Sequence, residues 1–82
     1  MRPDIISKNE YVHVASVLLA ARKEARLSQR ALGERLDVGQ KIISVIELGN
    51  RRVDFLELCA FERELGLPPL ELAKRILAAQ SA

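Results

Sequence analysis

The chain has 82 residues, 49% of them hydrophobic and 29% charged, with a formal net charge of +2; this allows one small globular core and excludes a second, and with it most enzymes. The apolar fraction argues against a disordered tail, no stretch approaches the roughly 18 apolar residues of a membrane span, and the polar start MRPDIISKNE lacks the apolar core of a secretory signal. A cytoplasmic protein is expected, which the single Cys59 fits, since it can form no internal disulfide, and no Cys/His cluster suggests a metal or other cofactor.

Five helices and no strand are predicted, forming a domain over residues 10–79 behind an N-terminal arm of residues 1–9. The first helix runs from about Glu10 to Arg26, where Val14, Val17, Leu18, Ala21 and Ala25 recur at three and four residues to make one apolar stripe. Ser28 can cap a second helix, with Leu32 and Leu36 as its buried row. Asp37 then falls in a turn, where its side chain tolerates the left-handed conformation better than most. A third helix from Gln40 to Leu48 buries Ile43 and Ile46 and stops at Gly49. After the loop from Asn50 to Val53, Asp54 and Glu57 stand three apart as in a capping box, opening a helix that buries Phe55, Leu58, Phe61 and Leu65 before Gly66. Pro68 and Pro69 suit the first turn of a fifth helix reaching about Ala79, with Leu70, Ala73, Ile76 and Leu77 apolar.

Charge is unevenly spread over these elements. Residues 22–52 carry eight bases against four acids, whereas residues 1–21 balance and residues 53–82 carry three bases against five acids. A polyanion-binding segment set between scaffold segments fits this pattern, and so does an unbalanced solvated face. No Ser/His/Asp set, paired carboxylates in a glycine-rich pocket or phosphate-binding loop is present, so enzyme function is not expected. His13 has no partner at metal-ligand spacing, and Cys59 reads as a small half-buried apolar residue. Arg26 and Arg35 read as surface charges.

Two helices of about eight residues, joined by a turn of three or four and followed by another short element, are the geometry of a helix-turn-helix. The run LSQRALGERLDVGQKIISVIELGNRR, followed by a helix ending in ELGL, resembles the Cro and lambda-repressor type of helix-turn-helix domain, the xenobiotic-response-element family, over about Val17 to Leu72. Its specific parts are LSQ opening the second helix, the pattern Val38, Ile43, Ser44, Ile46, Glu47, Gly49 in and around the third, and LGL closing the fourth.

The resemblance implies a lambda-repressor-like, five-helix fold and a transcription regulator that binds double-stranded DNA. Gln29 matches a glutamine that holds a backbone phosphate and braces the first residue of the recognition helix, here Gln40. Gln40, Lys41, Ser44 and Val45 match the positions facing the major groove; glutamine can pair bidentately with adenine, lysine suits guanine acceptors, serine bonds to several bases and valine meets a thymine methyl. Asn50, Arg51 and Arg52 match a phosphate-gripping loop, and Arg30, in the first turn of the second helix, could join them. Arg22 and Glu47 match a structural ion pair. The chain departs from the family pattern at Gly33 (usually alanine), Asp37 (usually glycine), Gly39 (usually a Ser or Thr cap), and at Ile42 and Val45, which are more often polar.

A lone module of this size buries too little surface for high affinity, so a homodimer on an inverted-repeat operator is expected, with Leu70, Ala73, Ile76 and Leu77 of the fifth helix as its interface. Ile42 and Val45 leave open an alternative: a protein-interaction module of the same fold, acting as an antiactivator. The antitoxin of a toxin–antitoxin pair is a further variant.

Overall fold

The computed structural model describes residues 6–81 as five helices, α1 (Lys8–Glu24), α2 (Gln29–Arg35), α3 (Gln40–Glu47), α4 (Phe55–Glu64) and α5 (Glu71–Ser81), with no strand among the described residues. The fold is the expected all-α arrangement of five helices. None of these helices is long and apolar enough to cross a membrane.

The helix ends follow from local chemistry. α1 begins two residues before the expected Glu10 because Ser7 and Glu10 form a reciprocal capping box: the Glu10 N–H donates to Ser7 Oγ at 3.1 Å and the Ser7 N–H donates to Glu10 Oε1 at 3.1 Å. Of the expected arm, residues 1–5 lie outside the described residues, and Ser7 to Asn9 belong to the helix and its cap. At their C-terminal ends, α1 to α4 all close on a left-handed residue: Arg26 (φ 60°), Asp37 (φ 59°), Gly49 (φ 79°) and Gly66 (φ 71°). In each, the next N–H reaches back across the last turn, as from Leu27 to the Arg22 carbonyl (3.3 Å), Val38 to Gly33 (2.8 Å), Asn50 to Val45 (3.0 Å) and Leu67 to Glu62 (2.9 Å).

The α2–α3 turn closes tightly. A Cβ on Gly33 would stand 2.9 Å from the Val38 carbonyl oxygen and 3.3 Å from the Gln40 nitrogen. Glycine costs about 1 kcal/mol of helix propensity there, and in exchange the start of α3 lies directly against α2. This is the contact that sets the angle between the two helices of the motif.

One core joins all five helices: Leu18 and Ala21 from α1, Leu32 from α2, Ile43 and Ile46 from α3, Phe61 and Leu65 from α4, and Leu72 from α5. Within it α2 packs on α3, and α5 packs on α1. The stripe of α1 extends further than expected, since Tyr11 and Ala15 are also buried.

Three expectations are corrected here. Phe55 is 63% exposed: at 3.6 residues per turn it projects about 90° from the row of Leu58, Phe61 and Leu65. Pro68 to Leu70 precede α5 as a turn instead of forming its first turn, and Leu70 takes a positive φ of 69°. The start of α5 is capped from another helix, because the buried Glu62 carboxylate accepts the Leu70 N–H at 3.2 Å and the Leu72 N–H at 2.9 Å. Finally, Ile42 is half-buried and packs against the core.

Asp37 is an exposed residue in a conformation that a Cβ disfavours by about 1–2 kcal/mol. Asp37→Gly is therefore expected to stabilise the domain by about 1 kcal/mol, read as a higher guanidinium midpoint at unchanged slope. An unchanged or lower midpoint would refute this account of the turn.

Candidate nucleic-acid interface

α3 has two opposed faces. Ile43 and Ile46 are buried, whereas Gln40 and Lys41 are exposed and Ser44 and Val45 half-buried. At 3.6 residues per turn, Gln40, Lys41, Ser44 and Val45 fall within an arc of about 140° on the side away from the core. The structure thus brings the four expected groove-facing residues onto one stripe. Leu48, 69% exposed, continues it at the C-terminal end; it was not singled out from the sequence, although its spacing of four from Ser44 carries the signal. Ile42 lies off this stripe, because its side chain turns to the core.

The position of Gln40 is set from within the protein. The Glu47 carboxylate, 5% exposed, receives Arg22 on both oxygens: Nε to Oε2 at 2.6 Å and Nη2 to Oε1 at 3.0 Å. Arg22 also donates from Nη1 to the Leu27 carbonyl at 2.7 Å, fastening the α1–α2 turn. Hydrogen bonding to Glu47 outweighs burial and raises the Arg22 pKa, so the guanidinium stays charged. Gln29 Nε2 then donates to Glu47 Oε1 at 2.8 Å, and Gln40 Nε2 donates to Gln29 Oε1 at 3.4 Å. The expected Arg22–Glu47 pair is therefore present, and the bracing of Gln40 by Gln29 rests on it.

The loop after α3 presents Asn50, Arg51 and Arg52. Arg51 is held by Glu57 of α4, with Nη2 to Oε2 at 2.9 Å and Nη1 to Oε1 at 3.3 Å. Glu57 also accepts the Asp54 N–H at 3.0 Å in the capping box of α4. The Arg51 bonds, followed by the Asp54 N–H, hold its carboxyl below the usual range. Arg52 is exposed, donates from Nη2 to the Ile6 carbonyl at 2.6 Å, and lies over the Tyr11 ring with 5.4 Å to the centroid. Together Tyr11, Gly49, Asn50, Arg51 and Arg52 line a cleft of about 270 Å³. Arg30 stands exposed in the first turn of α2. Arg35 donates to the Glu64 carbonyl at 3.1 Å, which ties α2 to the end of α4. Among the described residues no group of His, Cys, Asp and Glu could hold a metal ion.

With this geometry in place, comparison with known proteins is decisive. The family model described as helix-turn-helix, the Cro/C1 type, matches residues 18–72. The chain belongs to this helix-turn-helix family. Membership points to a DNA-binding transcription regulator rather than an enzyme. No curated protein sequence matches the chain. Among solved structures, the clp gene regulator ClgR from C. glutamicum shares the fold, with a TM-score of 0.76 at 18% identity over 96% of this chain and 97% of that one.

Glu47→Gln keeps the shape of the carboxylate and removes its charge, leaving the nearly buried Arg22 unpaired. A loss of about 3 kcal/mol or more is expected in urea unfolding, the cost of an uncompensated buried charge. A loss below about 1 kcal/mol, the scale of a surface pair, would contradict this reading.

Proposed function

We propose that this helix-turn-helix protein is a sequence-specific transcription regulator that reads an inverted-repeat operator as a homodimer, with α3 in the major groove. The observation that carries the reading is the hydrogen-bonded chain from Arg22 to Gln40. A carboxylate only accepts, so Gln29 turns its NH₂ inward and its oxygen outward; Gln40 in turn gives an N–H to Gln29 and presents its own oxygen away from the protein. An outward oxygen beside a second N–H is the pattern that pairs with N6 and N7 of adenine. Lys41 and Ser44 would supply the other polar base contacts, and Val45 an apolar one.

The remaining roles divide by chemistry. Gln29 keeps a second amide N–H for a phosphate, and Arg30, Asn50, Arg51 and Arg52 would add backbone contacts that orient the domain without reading sequence. Occupying the operator would then block or recruit polymerase. The resemblance to a named gene regulator supports this direction.

For the dimer, the turn before α5 offers Leu70 and α5 itself offers Leu77, both exposed, with Ala73 and Ile76 half-buried, while Leu72 is buried in the core. Arg75 bridges α5 to Glu24 of α1 at 3.0 Å and to Glu71 at 2.9 Å, which steadies the helix without covering that stripe. The rival reading, a protein-interaction module without DNA binding, loses one of its two supports, because Ile42 packs on the core.

Selection from random DNA at stated salt tests the proposal: a palindromic site with half-sites about one helical turn apart supports it, and the absence of any preferred sequence overturns it. Gln40→Ala should cost about 1–3 kcal/mol of discrimination at one base pair of the half-site. Arg52→Ala should instead weaken binding to all sequences and lower the salt slope by about one unit. For the assembly, Leu77→Glu should yield a monomer by sedimentation with the helical spectrum retained. If Leu56→Glu dissociates the protein and Leu77→Glu does not, the interface lies on α4, where Leu56 is 76% exposed.

A further inference from the structure

Three of the residues assigned to phosphate contact, Asn50, Arg51 and Arg52, stand on a loop that has no helical ladder of its own to hold it. Its shape depends on side chains from outside. On one side Glu57 holds Arg51. On the other stands Tyr11, on the second turn of α1, the chain's one tyrosine.

Tyr11 makes two kinds of contact with this loop. Its hydroxyl accepts the Val53 N–H and faces the Val53 carbonyl at 3.4 Å, so one side-chain oxygen serves both backbone groups at the point where the loop enters α4. Its ring lies under the Arg52 guanidinium, 5.4 Å from centroid to Cζ, while Nη2 of the same guanidinium reaches the Ile6 carbonyl just ahead of α1. A flat guanidinium lying over an aromatic ring and fixed at one nitrogen has few rotamers left to lose when an anion arrives. Burial raises the Tyr11 pKa, against smaller opposing effects of Val53 and the arginines, so the hydroxyl stays neutral and sets no negative charge against an incoming phosphate.

Packing alone would not require this side chain. A phenylalanine would fill the same part-buried space, but the Val53 N–H would then lose the acceptor that Tyr11 provides. The hydroxyl and the ring both act on the segment between the recognition helix and α4, and both border the 270 Å³ cleft that Gly49, Asn50, Arg51 and Arg52 complete.

We propose that Tyr11 is a positioning residue of the DNA-binding surface: it fixes the Gly49–Val53 loop and holds Arg52 at the mouth of a cleft that takes one backbone phosphodiester of the operator. The inference rests on the DNA-binding reading above. It adds to that reading a residue on α1, outside both helices of the motif and outside the segment matched by the family model. Because the contact is with the backbone, Tyr11 governs affinity for every sequence alike and leaves base discrimination to α3.

The test uses the full chain and two duplexes, the selected operator and a random sequence, over a range of salt. Tyr11→Phe should weaken both about three- to tenfold, leave their ratio unchanged, and lower the log–log salt slope by up to about one unit. Wild-type affinity and slope alongside a lowered melting temperature would mean a purely structural tyrosine and overturn the proposal. A loss confined to the operator would overturn it as well, since that would be base reading. Should Tyr11→Phe fail to fold, Arg52→Lys carries the same test by keeping the charge and removing the flat stack: a uniform loss on both duplexes supports the proposal and unchanged affinity overturns it. If the wild-type protein binds neither duplex, the functional reading falls, and amide exchange in the free protein decides the positioning claim. Faster exchange of the Val53 N–H and its loop neighbours in Tyr11→Phe then upholds it, and unchanged exchange overturns it.

Discussion

The buried carboxylate of Glu47 is the constraint on which the rest of this molecule depends. A charge taken out of water must be matched inside the protein, and here Arg22 from α1 matches it on both oxygens. That requirement brings α1, the α1–α2 turn through Leu27, and the C-terminal end of α3 to one point. The pair also has a direction. Arginine only donates and a carboxylate only accepts, so the order of donors and acceptors passes outward through Gln29 and ends at Gln40 on the surface. An amide at the surface would otherwise be free to turn either way. The orientation of the Gln40 amide at the surface is thus decided in the core.

A second constraint acts through the backbone. All four helices that precede α5 end on a left-handed residue, and the last turns are tied back in the same way each time. The turns are short because each helix ends within two residues of the tie, and short turns leave α2 and α3 little freedom in their crossing angle. Gly33 completes this, since the atoms of the turn occupy the space that its Cβ would need. Arg26 and Asp37 adopt the same backbone without being glycine, and the backbone bonds from Leu27 and Val38 just after them hold it in place.

Much of this could be read from the residues, and the misses have specific causes. The five helices, the capping boxes at Ser7 and Asp54 and the stops at Gly49 and Gly66 are local signals; of these only Ser7 was passed over, although Ser7 and Glu10 carry the spacing. Ile43 and Ile46 follow from periodicity, whereas the outward stripe of α3 follows from the family resemblance. Phe55 is exposed, since hydrophobicity alone does not fix the angle of a residue around the helix. Leu70 failed for another reason: the helix start there is satisfied by Glu62, a residue eight positions earlier, and no local pattern reports a cap supplied from a different helix. Tyr11 lies one turn before Val14 in the α1 stripe, so its burial was legible, while its bond to Val53, 42 residues away, is a property of the tertiary fold. The Arg22–Glu47 pair was found through resemblance, because nothing in the spacing of two charges 25 residues apart joins them.

The same network revises how the basic middle of the chain should be weighed. Of the eight bases in residues 22–52, Arg22 is neutralised in the core and Arg51 is held by Glu57. The exposed basic charge of this segment is therefore smaller than composition suggests, and it includes Lys41 on the stripe of α3 and Arg30 in the first turn of α2. Each phosphate contact adds about 0.9 to the salt slope on duplex DNA, so a protomer with three or four such contacts gains only a modest electrostatic affinity. On the proposed function, discrimination would then come from Gln40 and its neighbours, and strength from a second protomer on the same site. The uneven charge of the sequence is thus partly matched within the fold, where Glu47 and Glu57 hold Arg22 and Arg51 in place.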